Sequence, residues 1–445
     1  MINLTRLEVF VKVLTGLVFL FCPKTTFAGI HKAPIVIQGT NIRQVTRYPI
    51  ANYRLFRTGP NGEAISIPFQ IDEVDEWGDY ILDQGPAPNS KASNAVFDLY
   101  DELSFMGDDV GPATPPKTWP GQKPKILFEL KFQNVAKTDK PIGAVYIGVY
   151  FEKAPPMGSQ KYVIYNHQAA SITTGRYNYY FDKQNYLVLS KVEMVPVPPA
   201  PPTPIPIINL STFFMKADLK YFITAIANHR SINSKLDAFK TGPVRTIVRV
   251  SFYYSFLKLN FEIGMYTEVS FFSNSVILPA IIYNPIDGPK SLNKGSGFYY
   301  GFQFINSPKK YDFSTNMIPY EEKKGLFDFA GEKRKPEKKY WLSMIGSDHM
   351  MFVELTPSAQ MLKDNNIPSL YYKDVDGKAL SHINNNDPHP LTESPDNIGL
   401  FFDMTKFKEG EHTMAFQLFF DNKKDLGEME NYKTLSQWMY HVSRL

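Results

Sequence analysis

The chain has 445 residues, 43% hydrophobic and 14% aromatic, enough to bury a large core, and length alone suggests roughly two or three domains. Its formal charge of only +4 gives no case for nucleic acid, which needs a concentrated basic face. The 26 Tyr, 34 Phe and 34 Pro against a single Cys point to many strands with punctuated turns.

The leader sets the expected compartment. Arg6 precedes an apolar run from Val13 to Cys22, and Thr26-Phe27-Ala28 offers small residues at the two cleavage-determining positions. Residues 1–28 are therefore expected to be a secretory signal peptide cut after Ala28. The apolar run is shorter than the about 20 residues a membrane span needs, and no later stretch qualifies. The expected location is the periplasm or the cell exterior, with no transmembrane segment after the leader. Cys22 leaves with the leader, which removes disulfides and thiol catalysis.

Beyond Gly29, short apolar runs alternate with turn residues. Gly59-Pro60-Asn61-Gly62 predicts a hairpin between Tyr53–Arg57 and Ala64–Ile71. An acidic segment follows: Asp72, Glu73, Asp75, Glu76, Asp79, Asp83, Asp98, Asp101, Glu102, Asp108 and Asp109, opposed only by Lys91. Carboxylates at that density need cations, donors, a metal or water, because an unpaired buried charge is costly. Leu103, Phe105 and Met106 then read as a return into the core. Further strand-like runs occupy most of 126–195. The proline-rich stretch from Val195 to Pro206 lacks ladder donors, so it is expected to be an extended strap or interdomain spacer rather than a central strand, with a docking peptide as the alternative. Thr241–Tyr283 is the longest strand-rich block. In it Val244, Thr246, Val248, Val250 and Phe252 share one face, with Arg245 and Arg249 on the other. Leu435–Val442 reads as a closing helix or strand.

This pattern predicts a mainly β protein, an antiparallel β-sandwich or supersandwich in two packed domains. The expected division is 29–195 (an N-terminal β domain with the acidic loop), a linker or strap at 196–208, and a C-terminal sandwich at 209–445.

The acidic stretch is expected to be a solvated loop with caps and surface pairs and no cofactor. Calcium is the alternative, with Asp98, Asp101 and Glu102 as ligands converging with Asp72 and Asp75, although the linear calcium-loop signature is missing. His382 and His389 sit in a polar loop whose spacing matches no closed zinc pattern. There is no Gly-x-Ser-x-Gly elbow, phosphate-cradling glycine loop or His-Glu-x-x-His helix. Aromatic runs at 177–181, 252–254 and 298–302 fit either sandwich packing or sugar contact, in which a flat apolar ring face is flanked by polar groups.

Ile67-Pro68-Phe69-Gln70-Ile71-Asp72-Glu73, followed by Asp98-x-x-Asp101-Glu102-Leu103-x-Phe105-Met106, resembles a pattern in poorly characterised exported bacterial proteins. More distantly, with Gly242-Pro243-Val244-Arg245, it is similar to secreted proteins grouped with rhamnogalacturonan-lyase-like β-supersandwich enzymes. The resemblance implies β-sandwich domains and a glycan context, and carries over no catalytic residue. The expected function is an exported binding or structural protein with a polysaccharide ligand, contacted through Asp72, Asp75, Asp98, Asp101, Glu102, Arg245, Arg249, Tyr253 and Tyr254. The alternatives are a polysaccharide lyase using Arg245, Arg249 and a tyrosine, a glycosidase using Asp98 with Asp101 or Glu102, and an envelope assembly factor that binds a protein partner.

Overall fold

A computed structural model of the chain describes residues 33–134, 137–186, 188–196, 203–220, 223–228, 232–256, 259–284, 286–305, 311–317, 328–329, 339–346, 349–373, 397–421 and 438–445. The expected signal peptide and the His382–His389 loop lie outside the described residues.

The protein is mainly β. Seven strands come first: β1 (Pro34–Gln38), β2 (Tyr53–Thr58), β3 (Ala64–Ile67), β4 (Gln70–Asp72), β5 (Glu102–Met106), β6 (Ile126–Asn134) and β7 (Lys137–Val149). The next group is β8 (Val163–Asn166), β9 (Ser171–Thr174), β10 (Tyr177–Phe181), β11 (Leu189–Met194), β12 (Ile205–Leu219), β13 (Ile223–Asn228), β14 (Ile232–Thr241), β15 (Thr246–Phe256), β16 (Leu259–Phe271) and β17 (Ser275–Asn284). The last are β18 (Gly297–Phe304), β19 (Asp312–Thr315), β20 (Asp328–Phe329), β21 (Tyr340–Ile345), β22 (Met350–Pro357), β23 (Ser369–Lys373), β24 (Asn397–Asp403), β25 (Gly410–Asp421) and β26 (Trp438–Arg444).

They form four sheets. A three-stranded sheet runs β1-β5-β4, and a five-stranded sheet runs β26-β6-β7-β2-β3. Two nine-stranded sheets run β14-β15-β16-β17-β25-β22-β21-β19-β20 and β23-β24-β18-β12-β11-β10-β9-β8, the latter with β13 on β12. The expected hairpin joins β2 to β3, with Gly62 at φ +82 in its turn, where a left-handed backbone suits glycine.

The large sheets pack face to face. Alternation along β25 turns Met414, Phe416, Leu418 and Phe420 inward, and β22 does the same with Met351, Val353 and Leu355. Tyr177 and Phe298, from two of the aromatic runs, are buried in this core, with the Tyr177 ring 4.6 Å from Phe420. Packing between sheets therefore accounts for those rings. A second core joins the three- and five-stranded sheets: Ile35, Ile37, Leu103 and Phe105 against Leu55, Phe128, Leu130 and Ile147.

Two expectations about domain limits meet a different topology. The strands between Val163 and Met194 belong to a nine-stranded sheet with β12, so no sheet boundary falls at the proline stretch. At the other end, β26 returns to pair with β6 and completes the N-terminal five-stranded sheet. Ile205 and Pro206 also open the central strand β12, where Pro206 sits opposite Glu193 beside a register shift. A strand start at an irregularity is where a missing N–H is tolerated. Residues 197–202 of the stretch lie outside the described residues.

Candidate functional site: a buried ion network beneath exposed loops

Strand alternation builds the site. On β5, Leu103 and Phe105 face the five-stranded sheet, so Glu102, Ser104 and Met106 face the opposite way; on β4, Gln70 and Asp72 join them. Asp72 and Glu102 are direct cross-strand partners, exposed by 0% and 1%. Like charges placed opposite each other repel, and burial worsens the cost.

Arg245, immediately before β15 and 2% exposed, resolves this repulsion. Its Nε donates to Asp72 Oδ2 at 2.7 Å and its Nη2 to Glu102 Oε2 at 2.9 Å. Tyr80 OH donates to the same Glu102 oxygen at 2.6 Å and accepts from Arg245 Nη1 at 3.3 Å. Gln70 donates its amide to Asp72 at 2.8 Å and accepts the Arg245 backbone N–H at 3.1 Å. Lys240 Nζ lies 3.1 Å from Asp72 Oδ1. Burial by itself raises the Asp72 pKa, but Arg245 and Lys240, with the Gln70 amide, outweigh it and hold the carboxyl at about 2. Burial, with Glu102 and Glu268 nearby, pushes the Tyr80 phenol well above its usual range despite Arg245, so it stays a neutral donor.

A second pair continues the network. Arg249 and Glu268 are cross-strand partners on β15 and β16. Arg249 Nη2 donates to Glu268 Oε1 at 2.6 Å and to the Tyr80 carbonyl at 2.7 Å. Tyr266, whose ring lies 5.1 Å from the Arg249 guanidinium, donates its hydroxyl to Asp79. Between the two arginines, Ile247 packs on Val74, Tyr80 and Leu82. The acidic segment is thus pinned across the outer face of the β14–β16 sheet.

What this base presents to solvent is a pair of loops. In the turn 75–79, Asp75 Oδ1 accepts the N–H groups of Trp77 and Asp79, and Gly78 adopts φ +94. Trp77 at its tip is 81% exposed. The neighbouring loop 93–101 carries Tyr100, 54% exposed. Glu73 ties the loops together by accepting from Asn94 N, Ala95 N and the Ser93 hydroxyl. Asp101 does so again, accepting from Val74 N at 2.9 Å and Asp98 N at 2.8 Å. Burial pushes the Asp101 carboxyl up to about 6, against those two amides, with Asp98 and Glu73 adding to the rise.

The sequence candidates separate into groups. Asp72, Glu102, Arg245 and Arg249 come together, but as mutually satisfied partners with little solvent access. Asp75, Asp98 and Asp101 shape the exposed loops through hydrogen bonds to backbone and side-chain donors. Tyr253 is half-buried on β15, and the Tyr254 side chain lies outside the described residues. The three candidate calcium ligands are divided among protein donors: Asp98 accepts from Tyr100 N and Asn94 Nδ2, Asp101 from two amides, and Glu102 from Arg245 and Tyr80. Among the described residues no group of three or more His, Cys, Asp or Glu is placed to hold a metal. Arg245 and Glu102, which the lyase and one of the glycosidase pairings would use, are only 2% and 1% exposed.

Gln70, Tyr80, Lys240, Tyr266 and Glu268 were not foreseen, nor were the exposed Trp77 and Tyr100. Strand parity in Phe69-Gln70-Ile71-Asp72 would have paired Gln70 with Asp72; nothing comparable marks the others. A cavity of about 50 Å³ lies between the two large sheets, lined by Tyr179, Phe181, Val250, Phe252, Tyr300 and Phe302 among others. It is far below the roughly 300–1,000 Å³ of ligand pockets.

No family model matches the chain, and no curated protein matches it. Solved structures do resemble it. An α-mannosidase from Enterococcus faecalis V583 aligns with TM-score 0.43 and 9% identity, covering 97% of this chain and 47% of that one. A glycosyl hydrolase family 38 protein from Enterococcus faecalis gives 0.41 and 8%, covering 94% and 46%. The Slr1438 protein from Synechocystis sp. PCC 6803 gives 0.28 and 10%, covering 62% and 100%. The chain spans about half the length of the first two. No helix among the described residues is long and apolar enough to cross a membrane.

Proposed function

We propose that this is an exported, non-catalytic polysaccharide-binding protein that contacts its ligand through the loops 75–79 and 93–101. One observation carries the reading: Trp77 and Tyr100 are exposed by 81% and 54%, on loops tied together by Glu73 and Asp101 and anchored to a buried ion network. Exposed aromatic side chains on loops tied in this way suit the apolar face of a sugar ring, and the neighbouring Asp98, Asn94 and Glu76 offer hydroxyl partners. Such ties matter because a preformed site loses less entropy on binding. Export rests on the leader of residues 1–28.

The test is a thermal-shift screen of the purified chain against neutral and acidic polysaccharides, with a parallel absorbance trace at the unsaturated-uronate band. A melting shift that Trp77→Ala and Tyr100→Ala abolish, without new absorbance, is the expected result, since a ligand preferring the folded state stabilises it. New absorbance would make the protein a lyase. A shift untouched by either substitution would move binding away from these loops.

A further inference from the structure

Next to loop 93–101 runs the segment 39–50, joined to it by Thr40 N donating to Leu99 O, Arg47 N to Phe97 O at 2.7 Å and Ile50 N to Ala95 O. In this segment Arg47 has φ +85, a left-handed backbone in which glycine is the default residue. Strained non-glycine residues are concentrated at functional sites. Its side chain is exposed and makes no hydrogen bond or ion pair among the described residues. The fold therefore tolerates a strained backbone at a residue whose side chain gives it no hydrogen bond or ion pair among the described residues.

The segment around Arg47, and the one packed on it, carry aromatic and basic residues. The next residue, Tyr48, packs its half-buried ring 5.8 Å from Phe151, which is 56% exposed. Arg54 Nε fixes the chain after Phe151 by donating to the Pro155 carbonyl. Arg43 and Lys153 are exposed on the same two segments, with Glu152 the one exposed carboxylate between Phe151 and Lys153. Arginine recognises carboxylate and phosphate through paired N–H groups, and the exposed ring offers a flat apolar face.

We infer that Arg47, with Tyr48 and Phe151, forms a subsite for an anionic sugar, a pyranose ring bearing a carboxylate or a phosphate. The ring contact rests on the carbohydrate reading above; the anion contact does not depend on Trp77.

Titrating the purified chain with galacturonate oligomers, glucose 6-phosphate and neutral galactose oligomers separates the sources. The anionic sugars are expected to bind at least tenfold more tightly than the neutral ones, with affinity falling as salt rises. Arg47→Gly is expected to melt at the same temperature or higher, because glycine suits this φ, while losing that tenfold preference. Phe151→Ala is expected to weaken both anionic sugars and to leave weak binding of inorganic phosphate unchanged. Equal affinity of Arg47→Gly and the wild type for the anionic sugars would overturn the assignment. So would polyglutamate competing as well as galacturonate, or no binding of either anionic sugar, even where neutral glycans bind in a Trp77-dependent way. Loss of neutral binding in Trp77→Ala with the Arg47 effect intact would support this subsite separately from the loops above.

Discussion

Arg245 and Asp72 stand 173 residues apart in sequence and meet at 2.7 Å, with exposures of 2% and 0%. Neither charge has water to fall back on. Removing one therefore leaves the other stranded, which costs far more than the pair contributes when intact.

Arg245→Ala is accordingly expected to destabilise the protein by about 3–5 kcal/mol, measured by denaturant unfolding. Arg245→Met, which keeps most of the volume, should lose nearly as much because Asp72 and Glu102 still face each other. Adding Asp72→Asn and Glu102→Gln to Arg245→Met should restore a large part of the loss. A triple variant as unstable as the single one would show that packing, not charge, dominates the site.

Acid should weaken the network from the Asp72 side. Its carboxyl is held at about 2 in the fold against 3.8 ordinarily, so its contribution is complete above pH 4 and is lost as pH falls toward 2. The shift corresponds to about 2 kcal/mol. Melting temperature followed from pH 5 to pH 2 should fall, and the fall should be shallower in Asp72→Asn.

Asp101 titrates in the opposite sense. Its pKa is raised from 3.8 to about 6, so the fold favours the protonated form, and this contribution is present below pH 4 and lost as pH rises through 6. A carboxyl resonance moving with a midpoint near 6 in NMR would verify it; a midpoint near 4 would refute it. Asp101→Asn should remove the titration yet cost about 1–3 kcal/mol at neutral pH, because an amide NH₂ would face either Val74 N–H or Asp98 N–H.

Gly39→Ala tests how closely the segment 39–50 is laid against the aromatic loop. A Cβ there would stand 1.9 Å from the Asp98 carbonyl oxygen, which is backbone and cannot swing aside. The expected result is a loss of about 1–3 kcal/mol, with faster amide exchange at Thr40 and Asp98, whose N–H groups donate to the Leu99 carbonyl and the Asp101 carboxylate. Unchanged exchange in this loop would mean that the strain is absorbed elsewhere.

Strand parity made half of the network legible. Arg245 and Arg249 share a face by simple alternation, and Asp72 and Glu102 lie in the stretch that composition alone marks as unusual. Their partnership was not legible, because it depends on β4 pairing with β5 across a 29-residue loop and on that sheet lying over β15. Tyr266 and Glu268 escaped because the register of β16 against β15 shifts between Phe252 and Tyr253 and no local pattern announces it, and Tyr80 because it sits in a loop segment without periodicity. The acidic density suggested a cation; the fold answered it with arginine, lysine and backbone amides. The aromatic runs drew attention to the core, whereas the ring most available to a ligand is Trp77, a single residue at a turn without periodicity.

The return of β26 to β6 sets an order of events. The other four strands of that sheet are finished by Val149, yet its outer seat beside β6 stays empty until Trp438–Arg444 have been made. Through synthesis of the intervening chain β6 is a bare edge, open to any stray strand. The seat is filled only by Trp438–Arg444, so a sheet whose other strands lie before residue 150 waits on a strand almost 300 residues further along. A nascent chain that stalls before residue 438 would carry that unpaired edge as a mark of its incompleteness.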